Sequence, residues 1–401
     1  MFRGYSLLSN QVPRALIRFD DPKTAFKALK TSEVFRSWAI LQAFTFKPIV
    51  KNSEVLYNMS KRVLGSNFTH RVISQTVFKH FCAGEDPNGI QPRIAELRKS
   101  GIGAILDYAA ESDPTQASTV DSFDANVTVF ENSIRVVHSL PGENFAAIKI
   151  TGLASPALLE KLSATLPKPL PPQDAADLEK AVARLDRVCA LASKLGVSVM
   201  IDAEWTTVQP AIDYLTISMM KKYNKERPVV STTYQCYLKV TPQRIKADPE
   251  IAKGNFKLGA KLVRGAYLVS ERTRSPGAVC DSFENTTAQF DAAINTLAAA
   301  PEAALVVVAS HNTGSVRVAL AAENFGKFRF AQLLGMRDNL TYPLAAAGVP
   351  VFKYIPYGPV PEVMPYLIRR AQENSSMFGS PAVAEERKML AAELRKRLFG
   401  I

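Results

Sequence analysis

Eight short apolar runs recur between residues 101 and 356, and they constrain the fold more than any other feature. They are GIGAILDY (101–108), NFAAIKIT (144–151), GVSVMIDAE (196–204), PVVSTTYQCY (228–237), KLGAKLVRG (257–265), ALVVVAS (304–310), FRFAQLLG (328–335) and VPVFKYIP (349–356). Each is continuous rather than alternating, as a strand buried on both faces must be. Helical patterns separate them. The clearest is DLEKAVARLDRVCALASKLG, where Leu178, Val182, Leu185, Cys189, Ala192 and Leu195 form one stripe and Gly196 stands at the helix stop. Strand–helix alternation means a parallel sheet. Eight strands close an α/β (βα)8 TIM-type barrel. The alternative is an open doubly wound sheet, but GIGAIL lacks the third glycine of the dinucleotide fingerprint.

The flanks read differently. Residues 20–100 form a helical N-terminal arm, with KTAFKALKT and SEVFRSWAILQAF repeating apolar residues at three-to-four spacing. Residues 112–143 are polar and without strong periodicity, and read as an insertion or lid after the first strand. LPKPLPP (166–172) is a stiff linker into a helix. The barrel occupies 101–380, and 381–401 is a C-terminal helix. Residues 1–19 carry Arg3, Arg14 and Arg18 and no acid, which suits the tail of a mitochondrial targeting segment and equally an ordinary basic N-terminus.

Composition excludes little beyond disorder. The net charge is +12, from 49 Lys+Arg against 37 Asp+Glu, and it admits a polyanion, an anionic membrane or an acidic ligand. Cys82, Cys189, Cys236 and Cys280 form no CxxC pair, so a reducing compartment is expected. His70, His80, His138 and His311 stand far apart, so no metal site is assigned. No run reaches the roughly 18–20 apolar residues of a membrane span.

A barrel places its chemistry at the C-terminal ends of its strands. The polar residues there are Asp107, Glu111, Lys149, Asp202, Glu204, Gln235, Lys261, Arg264, Ser310, His311, Asn312, Gln332 and Tyr354. Any one of them alone is as readily a satisfied structural group. Together they are rich in cations and amides, as suits an anionic ligand. In GPVPEVMPYLIRRAQENSS, Tyr366, Arg369, Arg370 and Glu373 share one helical face. Such a stripe can be solvent-facing, but two adjacent guanidinium forks also suit one carboxylate. In KLVRGAYL, Gly265 and Ala266 permit close approach of a large flat or phosphorylated ligand.

KLVRGAYL (261–268), SHN (310–312), QLLGM (332–336), YIPYG (354–358) and YLIRRAQEN (366–374), in this order, resemble proline dehydrogenase in its eukaryotic monofunctional form. FCAGED (81–86), AILDY (104–108), AIKITGL (147–153) and MIDAE (200–204) strengthen the resemblance, which covers about residues 20–380. It implies a barrel that binds FAD and oxidises L-proline to Δ1-pyrroline-5-carboxylate, the first step of proline catabolism. By motif position Arg369 and Arg370 would bind the substrate carboxylate, with Lys149 and Asp202 also catalytic. Tyr354, Tyr366, Leu262, Tyr267 and Leu333 would wall the proline ring. Charge alone adds a gate, in which Glu111, just past the first strand, pairs with Arg369 when substrate is absent. Gln235, Lys261, Val263, Arg264, Gly265, Ala266, Ser310, His311, Asn312 and Glu373 would contact FAD. The resemblance further implies ubiquinone as electron acceptor, peripheral contact with the mitochondrial inner membrane on its matrix face, and no nucleic acid. SERTRSPGAVCDSFENTT (270–287) is shorter than usual for the family, so no partner for the adenine end is assigned. The rival substrate is trans-4-hydroxyproline, whose 4-hydroxyl Tyr354 would crowd. The rival class is a non-enzymatic basic binding protein.

Overall fold

A computed structural model describes residues 13–109, 120–265, 267–378 and 381–400. Eight parallel strands close into a barrel in sequence order. They are β1 Gly103–Tyr108, β2 Phe145–Ile148, β3 Ser198–Ile201, β4 Val230–Gln235, β5 Leu258–Val263, β6 Ala303–Ala309, β7 Phe328–Leu333 and β8 Val351–Tyr357. Each coincides with one of the eight apolar runs, except that β6 starts one residue before its run and β8 ends one residue after its own. Pairing of Ile105 with Tyr354 closes β8 onto β1.

The period-two alternation of strands gives the barrel two cores. Leu258, Ala260 and Leu262 of β5 join the layer between strands and helices. The barrel interior is a separate cluster of Ile105, Phe145, Ala147, Met200, Leu305, Val307, Ala331 and Phe352. Its floor is tightly filled. The rings of Phe145 and Phe352 meet edge-on at 5.1 Å, and a Cβ at Gly103 would lie 2.4 Å from the Phe352 ring. Strand parity therefore corrects one assignment. Leu262 is fully buried on the outward face of β5, away from the mouth, and cannot wall a bound ring.

The segment 112–143 is also corrected. It contains the helix Val120–Ser139, which packs on β1 and β2 as the first barrel helix. Phe123, Val127, Phe130, Ile134 and Val137 are its buried stripe. The insertion is thus confined to the βα connection at 109–119, of which only Ala109 lies among the described residues. The helix Pro172–Leu195 ends at Gly196 in the left-handed region, φ 71°. Its buried residues are Ala181, Leu185, Val188, Cys189 and Ala192, while Leu178, Val182 and Leu195 are half-buried. The stripe is rotated by about one position from the expected one.

Helices flank the barrel at both ends of the chain. Pro22–Phe26 packs on Asp338–Ala346 and on Pro381–Phe399, and Thr31–Ala43 packs on Pro381–Phe399. Arg397 of the last helix donates to the carbonyls of Phe26 and Leu29, both at 2.7 Å. Ile17 and Phe19 are buried, and Arg14 lies 4.1 Å over the Phe325 ring. The chain is therefore folded from before Asp20. All four cysteines are buried free thiols.

Candidate active site

Above the apolar floor, the inward positions of the strands and the residues just after them turn polar. Register sets Thr233 beside Lys261, Gln235 beside Val263 and Leu333 beside Tyr354. Asp202 follows β3, and its backbone N–H donates to the Ile148 carbonyl. Its side chain is the hub of the mouth. One carboxylate oxygen accepts from the Lys261 ammonium, and the other accepts from the Tyr354 hydroxyl at 2.6 Å. Lys261 also lies 5.4 Å from the centre of the Tyr354 ring. Three residues from β5, β8 and the end of β3 thus hold one another across the barrel. Burial and the facing carboxylates of Asp107 and Asp202 push the Tyr354 phenol well up, so it stays a donor at all working pH.

Lys149 follows β2, and its ammonium is 3.9 Å from the Asp107 carboxylate. The mouth is therefore less cationic than its sequence suggests. Lys149 faces Asp107 and Lys261 faces Asp202. Each of these two lysines thus has a carboxylate beside it in the mouth.

The rim after β5 supplies a further cation. Arg264 donates to the Ser315 hydroxyl at 3.0 Å and the Thr287 hydroxyl at 2.5 Å. Its guanidinium lies 5.0 Å over Phe283 and 5.2 Å over Phe290. Among the described residues no carboxylate comes within ion-pair distance of it. Burial lowers its pKa, as expected for a partly desolvated cation. Ser315 stands in the first turn of the helix Thr313–Ala321, which Asn312 caps by accepting from the Ser315 N–H at 3.0 Å. A Cβ at Gly265 would meet nothing within 4 Å. A half-buried guanidinium, a helix N-terminus and open backbone together suit a phosphate-bearing ligand.

Ser310 and His311 also carry structural duties. The Ser310 hydroxyl accepts from the Asn312 N–H at 3.1 Å. His311 Nε2 accepts from the Leu333 N–H at 3.1 Å, which places the neutral ring's proton on Nδ1. Gln235 donates to the Glu204 carbonyl and the Tyr237 hydroxyl. Tyr267 takes a left-handed backbone, φ 67°, and its ring meets Trp205 edge-on at 6.4 Å. A non-glycine residue there is costly, and such residues concentrate at ligand clamps. Glu271, in the turn after it, accepts from Thr206 N at 3.0 Å and Thr206 Oγ1 at 2.6 Å, joining the loops after β3 and β5.

Helix Val360–Phe378 carries Tyr366, Arg369, Arg370 and Glu373. Tyr366 is buried. The side chains of Arg369, Arg370 and Glu373, together with Glu111 and Ala266, lie outside the described residues, and so does the Glu111–Arg369 gate.

The supports of this helix were missed in the sequence. Glu85 of FCAGED accepts from the Val360 N–H at 3.2 Å, filling the first turn of the arginine helix. Ala83 donates to the Pro356 carbonyl, and Gly358 donates to that of Gly84. FCAGED is thus the socket for the end of β8. Lys353, buried on the outer face of β8, donates to the Met336 carbonyl at 2.6 Å and pairs with Asp338 at 2.7 Å, fixing the QLLGM loop. The signal for both was present in the quoted motifs. What was absent was any chemical reason to look beyond inward strand ends.

A family model described as proline dehydrogenase matches residues 90–380. The chain belongs to the proline dehydrogenase family. It is 32% identical to "Proline dehydrogenase 1, mitochondrial" of Dictyostelium discoideum, over 94% of this chain and 75% of that protein. It is 31% identical to "Hydroxyproline dehydrogenase" of Xenopus laevis, over 94% of this chain and 89% of that one. Among solved structures, proline utilization A of Bdellovibrio bacteriovorus, inactivated by N-propargylglycine, superposes with a TM-score of 0.69 at 17% identity. That match covers 94% of this chain and 39% of the bacterial one, so this chain spans well under half of it. It shows the same barrel fold.

Proposed function

We propose that this chain oxidises L-proline to Δ1-pyrroline-5-carboxylate at the mouth of its barrel, with FAD as resident cofactor and a membrane quinone as final acceptor. The observation that carries the reading is the Asp202 hub, where Lys261 and Tyr354 are locked together above a dry floor. The donor set fits FAD. Arg264 and the N-terminus of Thr313–Ala321 suit its phosphates, and Lys261, Val263 and Gly265 on the same strand edge suit its flat ring. Bound FAD would supply a two-electron oxidant beside Lys261.

The chain's own residues do the rest. Proline carries a carboxylate and a secondary amine, and only the neutral amine can be oxidised. Lys149 and Lys261 are each held against a carboxylate, so Arg369 and Arg370 are left as receptors for the substrate carboxylate. Cations around the ring nitrogen disfavour its protonated form. Tyr354, with its hydroxyl fixed on Asp202, presents its ring as one wall, with Leu333 beside it and Tyr366 on the facing helix.

Mitochondrial names among the relatives support a mitochondrial location, and a quinone acceptor would put the protein at the matrix face of the inner membrane. The test is the flavin spectrum of the purified protein, its bleaching by proline, and proline-dependent reduction of a ubiquinone analogue. Arg370→Met should abolish bleaching while leaving flavin bound. Protein that is colourless, and unresponsive to added FAD, would overturn the reading in favour of a basic binding protein. The similarity to a hydroxyproline dehydrogenase supports trans-4-hydroxyproline as the rival substrate. A higher kcat/KM for it than for proline would reverse the choice. Tyr354→Ser should narrow the gap between the two.

A further inference from the structure

The helical hairpin ahead of the barrel is built inside out. Helices Ser53–Leu64 and Ser66–Ile73 pack on each other across Gly65, and helix Ser53–Leu64 has no buried residue. Its half-buried positions are polar or aromatic, namely Ser53, Tyr57, Ser60 and Lys61. Tyr57 bonds His70 of the second helix at 3.0 Å, and Lys61 lies 4.3 Å over the Tyr57 ring. The apolar stripe points outward. Val55 is 64% exposed, Met59 54%, Val63 75% and Phe68 55%. Nine of the eighteen exposed large apolar side chains among the described residues fall between Phe46 and Val72. A helix on a water-facing surface shows the reverse arrangement, with its apolar face inward. An apolar patch this dense marks an interaction surface.

The charges flanking the stripe select the partner. Lys51, Lys61, Arg62 and Arg71 accompany it, against the single acid Glu54. Lys51, Arg62 and Arg71 are exposed. An outward apolar stripe rimmed by cations is the signature of a helix lying in the headgroup layer of an anionic bilayer. No helix among the described residues is long and apolar enough to cross a membrane.

We infer that the hairpin Ser53–Ile73 docks this protein peripherally on an anionic phospholipid surface. The hairpin and the short helix before it pack against Val360–Phe378, the helix that carries Arg369 and Arg370. Docking therefore brings the side of the barrel next to its mouth to the lipid. The inference rests on the proposed membrane contact and locates it on the hairpin, while vesicle binding is read separately from proline oxidation, so either can fail without the other.

Co-sedimentation of the full chain with vesicles tests it without substrate. One set is phosphatidylcholine, the other phosphatidylcholine and phosphatidylglycerol in equal parts. The wild type should bind the anionic vesicles roughly a hundredfold more tightly than the neutral ones, and added salt should weaken it. Met59→Ser/Val63→Ser/Phe68→Ser should lose binding to both sets. Lys61→Gln/Arg62→Gln should weaken only the anionic arm, by about fivefold per cation removed. Circular dichroism and reduction of a water-soluble dye by proline should match the wild type in both variants. Wild type that stays in the supernatant, or a triple variant that binds as before, overturns the inference. So does a wild-type dimer that the triple variant converts to monomer without any vesicle binding, because a second copy then covers the face.

Discussion

Tyr354 carries two jobs in one side chain, and its hydroxyl can be removed without touching its ring. Tyr354→Phe deletes the 2.6 Å bond to Asp202 and leaves Lys261 as the partner held on that carboxylate. A hydrogen bond to a charged group contributes about 1.5–3 kcal/mol. The expected outcome is a roughly tenfold to hundredfold fall in kcat/KM for proline, with a thermal midpoint lowered by several degrees at most. Unchanged kinetics would show that Lys261 alone orients Asp202. Glu204 allows a second test. Burial pushes its carboxyl up to about 7, opposed by the Thr151 hydroxyl and N–H that donate to it. The folded state therefore binds this proton more tightly than the unfolded state does. Its contribution to stability is full below about pH 4.5, declines as pH rises toward 7, and is flat above that. The loss amounts to at most about 3 kcal/mol. Glu204→Gln keeps an acceptor for Thr151 and removes the titration, so urea midpoints from pH 4.5 to 8 should fall less in the variant. At this scale the sequence was readable where chemistry sits on inward strand ends. Leu262 misled because a continuous apolar run hides which of its residues face inward.

Helix Val120–Ser139 shows what a run-by-run reading misses at the scale of elements. Its sequence is rich in Val, Thr, Asn, Ser and Asp, all weak helix formers, so propensity argues against it. Its buried stripe of Phe123, Val127, Phe130, Ile134 and Val137 is nevertheless regular. Tertiary burial, rather than propensity, makes the helix. Phe130 ties it to the site. A Cβ added at Gly152 would lie 3.1 Å from the Phe130 ring, so that ring packs on the turn that leads on from Lys149. Phe130→Ala should cost about 3–5 kcal/mol in urea unfolding. Because Lys149 begins that turn, the variant should also raise the KM for proline. A raised KM without loss of stability would contradict the packing argument.

The whole molecule is closed by contacts that no local pattern announces. The arm and the last helix were both legible as helices, but their meeting is long-range, and periodicity carries no information about partners. Glu386 shows how tightly the C-terminal helix is built into the site. It is buried, and its two carboxylate oxygens accept from the N–H groups of Arg337 at 3.0 Å and Asp338 at 2.7 Å. Those N–H groups open helix Asp338–Ala346, entered through a left-handed Arg337 at φ 54°. Arg337, itself buried, reaches on to the Thr313 hydroxyl at 2.7 Å, beside the helix that Asn312 caps. Gly335, two residues earlier, sits at φ 76° with the His80 carbonyl 2.5 Å from where a Cβ would be. The loop Gln332–Asp338 is thus gripped by the arm, by Lys353 and by the last helix at once. Glu386→Ala leaves two buried N–H donors without their acceptor, a change that costs about 1–3 kcal/mol for each donor. Glu386→Gln restores one acceptor and should recover part of that loss. Both variants should also raise the KM for proline, because Leu333, expected to wall the ring, hangs from the same loop. A thermal midpoint lowered in the order wild type, Gln, Ala, with KM rising in the same order, is the expected result. A loss of stability with unchanged KM would separate the clamp from the site and make the C-terminal helix a structural strap alone.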